Sequence, residues 1–318
     1  MLNKEFDMNN FMKKAICIVQ STVIILALLS GCRQQSDAVE TSAQEAHVVT
    51  TAPVRQAKDG IQTLLVVCLD SFDVPRDSGA YRNGNRADSI LLIVIDEALS
   101  KTTALQLNPD TMVPFLTLGM SEASEIPLGL VYSYGSGGSD SCLSGSTAVS
   151  NLLGGISIDH YMTFTMDSVA IVNDMVGGIT VTVTEDFPEE SPEFVKGESV
   201  TLSGENSVEF FRLRADTDVA NEAHMERQRQ YITGLYLPFM ENAKQEDFLT
   251  RLTLQLGERF STDLTLSQMA QLLQSMGEYQ LDEAIVTIQG SADKSDGQFQ
   301  FRVDTDSLNQ TVERLFFE

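Results

Sequence analysis

Two unbroken apolar runs constrain this chain more than any other feature: Leu64-Leu-Val-Val-Cys-Leu69 and Ser89-Ile-Leu-Leu-Ile-Val-Ile95. Both are rich in branched side chains, short for helices, and lack the polar alternation of a half-exposed strand. Such runs read as strands buried on both faces, which occur in sheets covered by helices on each side. Thr103–Leu107 and Tyr161–Thr165 are predicted as further strands, and Ile179–Thr184, alternating Ile/Val with Thr, as a half-exposed one. Late strands are expected over Ala284–Gln289 and Phe299–Val303. Helices are predicted over Ser144–Leu153, over Met166–Met175 ended by Gly177-Gly178, and over Gly204–Phe211 capped by Ser203. Others follow at Glu222–Glu241, Glu246–Phe260, Leu264–Met276 (started by Thr262 or Asp263) and Ser307–Phe316; Glu185–Glu198 reads as an acidic loop. Strand and helix alternate throughout, so the expected fold is α/β, an α-β-α layered sandwich with a central mixed β-sheet.

Ahead of this domain, Met12-Lys-Lys14 precedes an apolar stretch from Ala15 to Leu29 and the sequence Leu29-Ser-Gly-Cys32. This order has the n-region, h-region and small-residue cleavage site of an export signal. Its apolar part is shorter than the roughly 20 residues a bilayer span needs. A small residue followed by Gly-Cys is the pattern of a bacterial lipoprotein signal, with Cys32 lipidated; an uncleaved signal anchor is the alternative. Either places the rest at the extracytoplasmic face of the cell membrane, away from ATP, NAD and chromosomal DNA. The polar stretch that follows lacks apolar periodicity and reads as a flexible tether. The expected organisation is a signal peptide over 1–32, a tether over 33–60 and one domain over 61–318.

The formal net charge of −24 argues against nucleic acid as a partner. An anionic ligand must then be held by a few focused arginines or by a metal ion. With only His47, His160 and His224, the chain is poorly equipped for a histidine-based metal site. Cys17 and Cys32 fall in the signal region, leaving Cys68 and Cys142 as a disulfide that an exported location permits, or as buried thiols.

Asp70 directly follows the first buried strand, and Asp88 precedes the second, with Arg86 two residues earlier. Carboxylates at the ends of neighbouring buried strands stand at a sheet edge, where α/β proteins site ligands. Two such oxygens could hold Mg²⁺ beside phosphate oxygens and water; the alternative is a pair of ordinary strand terminators. Arg212 and Arg214 offer paired forked donors suited to pyrophosphate. Residues two apart on a helix point to opposite sides, so both face one ligand only if the backbone leaves helical geometry near Leu213. Otherwise they are a solvated helix end, the alternative that also applies to Arg227 and Gln228.

Taken in order, several segments resemble the LytR-CpsA-Psr family of extracytoplasmic phosphotransferases. They are Leu-Asp70-Ser, Arg86-Ala-Asp88-Ser, Leu107-Asn-Pro-Asp110-Thr111, Asn151 through Asp159-His-Tyr161, and Val172-Asn-Asp174 through Gly-Gly-Ile-Thr-Val. Leu202-Ser-Gly204 through Phe211-Arg212-Leu-Arg214 and Arg227-Gln228 complete the set, so the resemblance covers the exported domain from Leu64 onward. There are departures. Asn108-Pro109-Asp110 stands where the family has Pro-Arg-Asp, and a Lys-Ile-Asn segment is missing near Ile126-Pro127-Leu128. Asn221 and His224 replace an acid and an arginine, and Pro75-Arg76-Asp77 lies in an insertion.

The resemblance implies transfer of a glycopolymer from a polyprenyl-pyrophosphate carrier to peptidoglycan. It implies Mg²⁺ held by Asp70 and Asp88, with Asp88, Arg86, Arg212 and Arg214 at the reaction and Asp110, His224, Arg227 and Gln228 binding substrate. The lost charges suggest a weakened enzyme or a non-catalytic lipoprotein that binds polyprenyl phosphate or wall glycan; a lipid pyrophosphatase, with the same metal site and water as acceptor, is a third reading.

Overall fold

The computed structural model describes residues 53–72, 84–117, 120–184, 191, 193–214, 218–282, 284–295 and 297–318. The expected signal peptide, Cys32, most of the tether and Pro75-Arg76-Asp77 lie outside the described residues. No helix among the described residues is long and apolar enough to cross a membrane.

Strands β1 (Ile61–Leu69), β2 (Ala87–Asp96) and β3 (Lys101–Leu107) form an antiparallel meander. A hairpin of β4 (Met112–Phe115) and β5 (Ser124–Pro127) follows, then α1 (Leu128–Val131) and α2 (Ser139–Leu152). Next, β6 (His160–Thr165) pairs parallel to β1 and leads into α3 (Ser168–Met175) and the hairpin β7 (Ile179–Thr182) and β8 (Ser199–Leu202). Helices α4 (Glu205–Arg212), α5 (Glu222–Ala243) and α6 (Phe248–Leu256) precede β9 (Phe260–Thr262) and α7 (Leu266–Glu278). Short strands β10 (Gln280–Leu281) and β11 (Val286–Thr287) both pair with β3; the hairpin of β12 (Gly290–Ser295) and β13 (Gln298–Val303) and helix α8 (Thr305–Phe316) close the chain. The main sheet runs β10-β3-β2-β1-β6-β9 and mixes parallel with antiparallel pairs, as the sequence predicts.

Strand alternation explains why the two apolar runs are unbroken. On one side, Leu65, Val67, Leu92 and Val94 pack with Ala148 and Val149 of α2 and Val312 and Phe316 of α8. On the other, Leu64, Leu91 and Ile93 meet Met269, Leu272 and Met276 of α7. Each fully buried leucine, such as Leu65 or Leu92, contributes roughly 1.5–3 kcal/mol relative to exposure.

Several boundaries differ from expectation. Packing starts before residue 61: Arg55 N–H donates to Gly155 O (3.1 Å), Lys58 N–H to Phe316 O (2.9 Å), and Lys58 pairs with Asp96 (2.7 Å). The residue that caps α7 is Thr265, in a capping box with Gln268. Thr262 is drawn into β9, and Asp263 accepts from the Tyr161 N–H instead. Ser203 does not cap α4: Gly204 (φ 52°) holds that position without a side-chain cap. The helix expected over Glu246–Phe260 ends at Leu256, because Phe260 joins the sheet edge beside β6. Cys68 and Cys142 are free, buried thiols in separate apolar clusters, which rules out the disulfide. Burial pushes both thiols up from the usual range; for Cys68 the negative field of Asp88, Asp70 and Asp167 adds to it.

Candidate active site

Pairing between β1 and β2 carries Cys68 opposite Ser89 and Leu69 opposite Ala87, so Asp88 is the extra residue of a β-bulge. Bulges re-aim side chains, often at functional sites. Beyond the bulge, the Asp70 N–H donates to Arg86 O (2.8 Å), so Asp70, Arg86 and Asp88 share one end of the sheet. Asp88 thus stands within β2 and not ahead of it. Helix α1 closes in behind: a Cβ on Gly129 would lie 2.5 Å from Ala87 O, a distance only glycine allows.

The two later arginines arrive from α4. That helix ends at Arg212, and Leu213 is extended (φ −57°, ψ 128°), which meets the expected requirement for both guanidiniums to reach one place. Asp70, Phe72, Arg86, Asp88, Asp167, Glu205, Glu209, Arg212 and Arg214 line a cleft of about 780 Å³. Arg212 Nε donates to Asp70 Oδ1 (2.8 Å), with its guanidinium 5.2 Å from the centre of the half-exposed Phe72 ring. Arg214 Nη2 donates to Asp110 Oδ2 (2.5 Å), and Arg86 pairs with Asp110 Oδ1. Asp110, 1% exposed, is thereby committed to two guanidiniums.

Asp110, His224, Arg227 and Gln228 are all buried and none lines the cleft. They form its back wall. Nε2 of His224 faces Asp88 Oδ2 (3.1 Å), and its Nδ1 lies 2.8 Å from Leu213 O, a carbonyl that can only accept, so Nδ1 carries a proton. Gln228 Nε2 donates to Asp88 Oδ2 (3.0 Å). Its amide is oriented by a relay in which Arg229 donates to Gln106 Oε1 (2.7 Å) and Gln106 donates to Gln228 Oε1 (3.2 Å). Sequence reasoning missed Gln106, which lies on β3 without a motif. His224 and Gln228 entered the sequence reading through the family resemblance alone; four residues apart on α5, they share one helix face. Arg227 donates to Leu213 O, holding the segment after α4. Asn221, in left-handed backbone (φ 60°), is fully buried, and its side-chain atoms have no hydrogen-bond partner among the described residues.

Next to the cleft lies an apolar cavity of about 280 Å³ between the sheet and α5, α6 and α7. Leu64, Leu91, Ile232, Leu235, Leu252 and Leu272 are among its walls. Cys68 and Ser89, neighbours of the cleft residues Asp70 and Asp88, line its near end.

The donor set fits one divalent cation. Among the described residues no group of three or more acidic, histidine or cysteine ligands gathers. Mg²⁺ held by one or two carboxylates plus phosphate and water needs no such group. Asp70 Oδ2 and Asp88 Oδ1 have no hydrogen-bond or ion-pair partner among the described residues, whereas both oxygens of Asp110 are occupied.

This pairing of a bulged acid and a broken-helix arginine pair on a mixed sheet coincides with a sequence match. A sequence model of the LytR_cpsA_psr family matches residues 26–316, and the chain belongs to that family. It is 25% identical over 243 residues to the polyisoprenyl-teichoic acid–peptidoglycan teichoic acid transferase TagU of Enterococcus faecalis, covering 75% of each chain. It is 28% identical over 178 residues to biofilm regulatory protein A of Streptococcus mutans, covering 54% of this chain and 42% of that one. The fold matches the crystal structure of B. subtilis TagV (TM-score 0.62, 24% identity, 81% of this chain and 97% of that one). It also matches TagT bound to LI-WTA (TM-score 0.62, 14% identity, 86% and 96%).

Proposed function

We propose that the protein transfers a glycopolymer from a polyprenyl-pyrophosphate carrier to peptidoglycan. The observation that carries this reading is the junction of an arginine-lined cleft with an apolar cavity: one accepts a pyrophosphate, the other a prenyl chain. Relatives named as teichoic acid transferases support the same reaction class. Asp70 and Asp88 would hold Mg²⁺, which when bound supplies positive charge to the pyrophosphate. Arg86, Arg212 and Arg214 neutralise its remaining oxygens. Alignment and charge neutralisation are the main contributions a protein makes to phosphoryl transfer. An acceptor hydroxyl on the wall glycan attacks the glycan-linked phosphorus. Its bond to the bridging oxygen breaks, prenyl phosphate leaves, and the hydroxyl proton passes to a cleft carboxylate, with Asp88 the one aimed by the bulge. Asp110, His224, Arg227 and Gln228 position this machinery from behind. Turnover is expected to be slow, because Pro109 and Asn221 bring no charge and His224 is spent on Asp88 and Leu213.

Labelled lipid-linked glycan incubated with peptidoglycan and Mg²⁺ tests this. Label should enter peptidoglycan with the wild type and not with Asp88→Ala. Release of glycan phosphate without transfer would make the protein a lipid pyrophosphatase, and retention without release a binder. We propose further that Cys32 carries a lipid anchor holding the domain at the extracytoplasmic membrane face. Metabolic labelling with a fatty-acid analogue should mark the wild type and not Cys32→Ala; equal labelling of the two would refute the anchor.

A further inference from the structure

Arg214 is the most constrained of the cleft arginines, and part of the constraint comes from the far end of the chain. The guanidinium carbon of Arg214 lies 4.1 Å from the centre of the Phe299 ring on β13. Lys294, the register partner of Phe299 on β12, sets its Nζ 4.4 Å from the same centre. The Phe299 ring thus meets two cations, Arg214 and Lys294. The hairpin itself is tied to the site: the Phe301 N–H donates to Asp110 O (2.8 Å), and Phe301 forms a parallel bridge with Thr111. Gly290 makes this seat possible, since a Cβ there would stand 2.5 Å from the Phe301 ring. Asp110 therefore receives Arg214 at its carboxylate and the hairpin at its carbonyl, two residues from the ring that stacks on that arginine.

Nε of Arg214 is buried and has no hydrogen-bond partner among the described residues. The guanidinium is thus held at one edge by Asp110 and against an aromatic ring, with no second acceptor among the described residues. A cation over an aromatic face is attracted by the ring quadrupole, more strongly when partly desolvated. Aspartate alone would let the guanidinium pivot about one hydrogen bond.

We infer that Phe299 is a positioning residue for the pyrophosphate subsite, fixing the plane of Arg214 so that its outward N–H donors meet the phosphate oxygens. The inference rests on the function proposed above. It makes the C-terminal hairpin part of the substrate-binding apparatus, although no hairpin residue lines the cleft.

The test uses the full chain and two variants of one position. Phe299→Leu keeps apolar bulk and removes the aromatic face; Phe299→Tyr keeps the face. Contact is read by NMR from the Arg214 Nε–H resonance, which a ring current displaces. It should move in Phe299→Leu and stay near the wild-type position in Phe299→Tyr. A resonance unmoved in Phe299→Leu overturns the stack. Function is read from inorganic pyrophosphate affinity with Mg²⁺ present. Phe299→Leu should bind about three- to tenfold more weakly, on the scale of a partly buried cation–π contact, and Phe299→Tyr within about twofold of wild type. Equal affinity in Phe299→Leu and wild type, or equal weakening in both variants, overturns the positioning role. Arg214→Ala keeps the two levels apart. If it leaves affinity unchanged, pyrophosphate does not bind at Arg214, and the proposed function fails even where the stack is real.

Discussion

The charged cleft and the apolar cavity adjoin along four elements and hold opposite chemistries. At the end of β1, Cys68 faces the cavity and Asp70, just past the strand, the cleft; on β2, Ser89 and Asp88 divide the same way. At the start of α3 the division falls between Val169 and the preceding Asp167, and at the end of α4 between Phe211 and Arg212. One or two residues of chain carry the wall from one chemistry to the other. The boundary needs no domain border, because the end of a strand and the end of a helix each turn a side chain away from the core. The two regions also differ in what they demand. Apolar contact is non-directional, so many leucines and methionines can share the cavity. In the cleft each cation needs a partner at a fixed place, and each of the three arginines has one: Asp70 for Arg212, Asp110 for Arg86 and Arg214.

That dependence puts the largest expected effect at Asp110. Asp110→Asn keeps the shape of the side chain and removes the charge that two guanidiniums share. Breaking a buried pair by removing one partner leaves an uncompensated charge and is strongly destabilising. Arg86 and Arg214 keep some exposure, 40% and 20%, so the loss should fall below the fully buried case, at about 2–4 kcal/mol. Denaturant melts would read it as a lower midpoint with an unchanged slope. A midpoint at the wild-type value would show that the cleft tolerates an unpaired cation as readily as the cavity tolerates a changed leucine, and the contrast between the regions would collapse.

The two regions were also unequally legible in sequence. The sheet and its cavity follow from Leu64–Leu69 and Ser89–Ile95, whose unbroken apolar character already states that both faces are covered. Of the cleft, Asp70, Arg86 and Asp88 were placed by strand ends, and the break at Leu213 was a geometric necessity once Arg212 and Arg214 were taken as a pair. The back wall was not legible. Asp110 meets Arg86 and Arg214 across separations of 24 and 104 residues, so nothing local marks its carboxylate as already committed. His224 looked like a replacement cation for the phosphate; its place on α5 turns it into the core against Asp88. Strand β12, Gly-Ser-Ala-Asp-Lys-Ser, has neither apolar alternation nor β-branched residues, and only its pairing with β13 makes it a strand. Thr265 and Gln268 have capping-box spacing, and they cap α7 because Thr262 and Asp263, the expected caps, are consumed at the sheet edge.

A smaller effect sharpens the comparison from the cavity side. Leu272 of α7 lines the cavity and is nearly buried. Leu272→Phe should fill space that a prenyl chain would use, leaving the cleft untouched. Displacing two methylenes from apolar contact at about 0.8 kcal/mol each corresponds to roughly tenfold weaker binding of a long-chain prenyl pyrophosphate. Inorganic pyrophosphate should bind as it does to the wild type, since none of its expected contacts lies on α7. Stability should change little, because the added ring enters a void and does not displace packed neighbours. Parallel titration of the two ligands against wild type and variant gives the ratio directly. If both ligands weaken together, the cavity and the cleft are coupled through the sheet, and the sharp division at Cys68/Asp70 and Phe211/Arg212 is not an energetic one. If neither weakens, the prenyl chain lies elsewhere, and the cavity is ordinary core packing with a void in it.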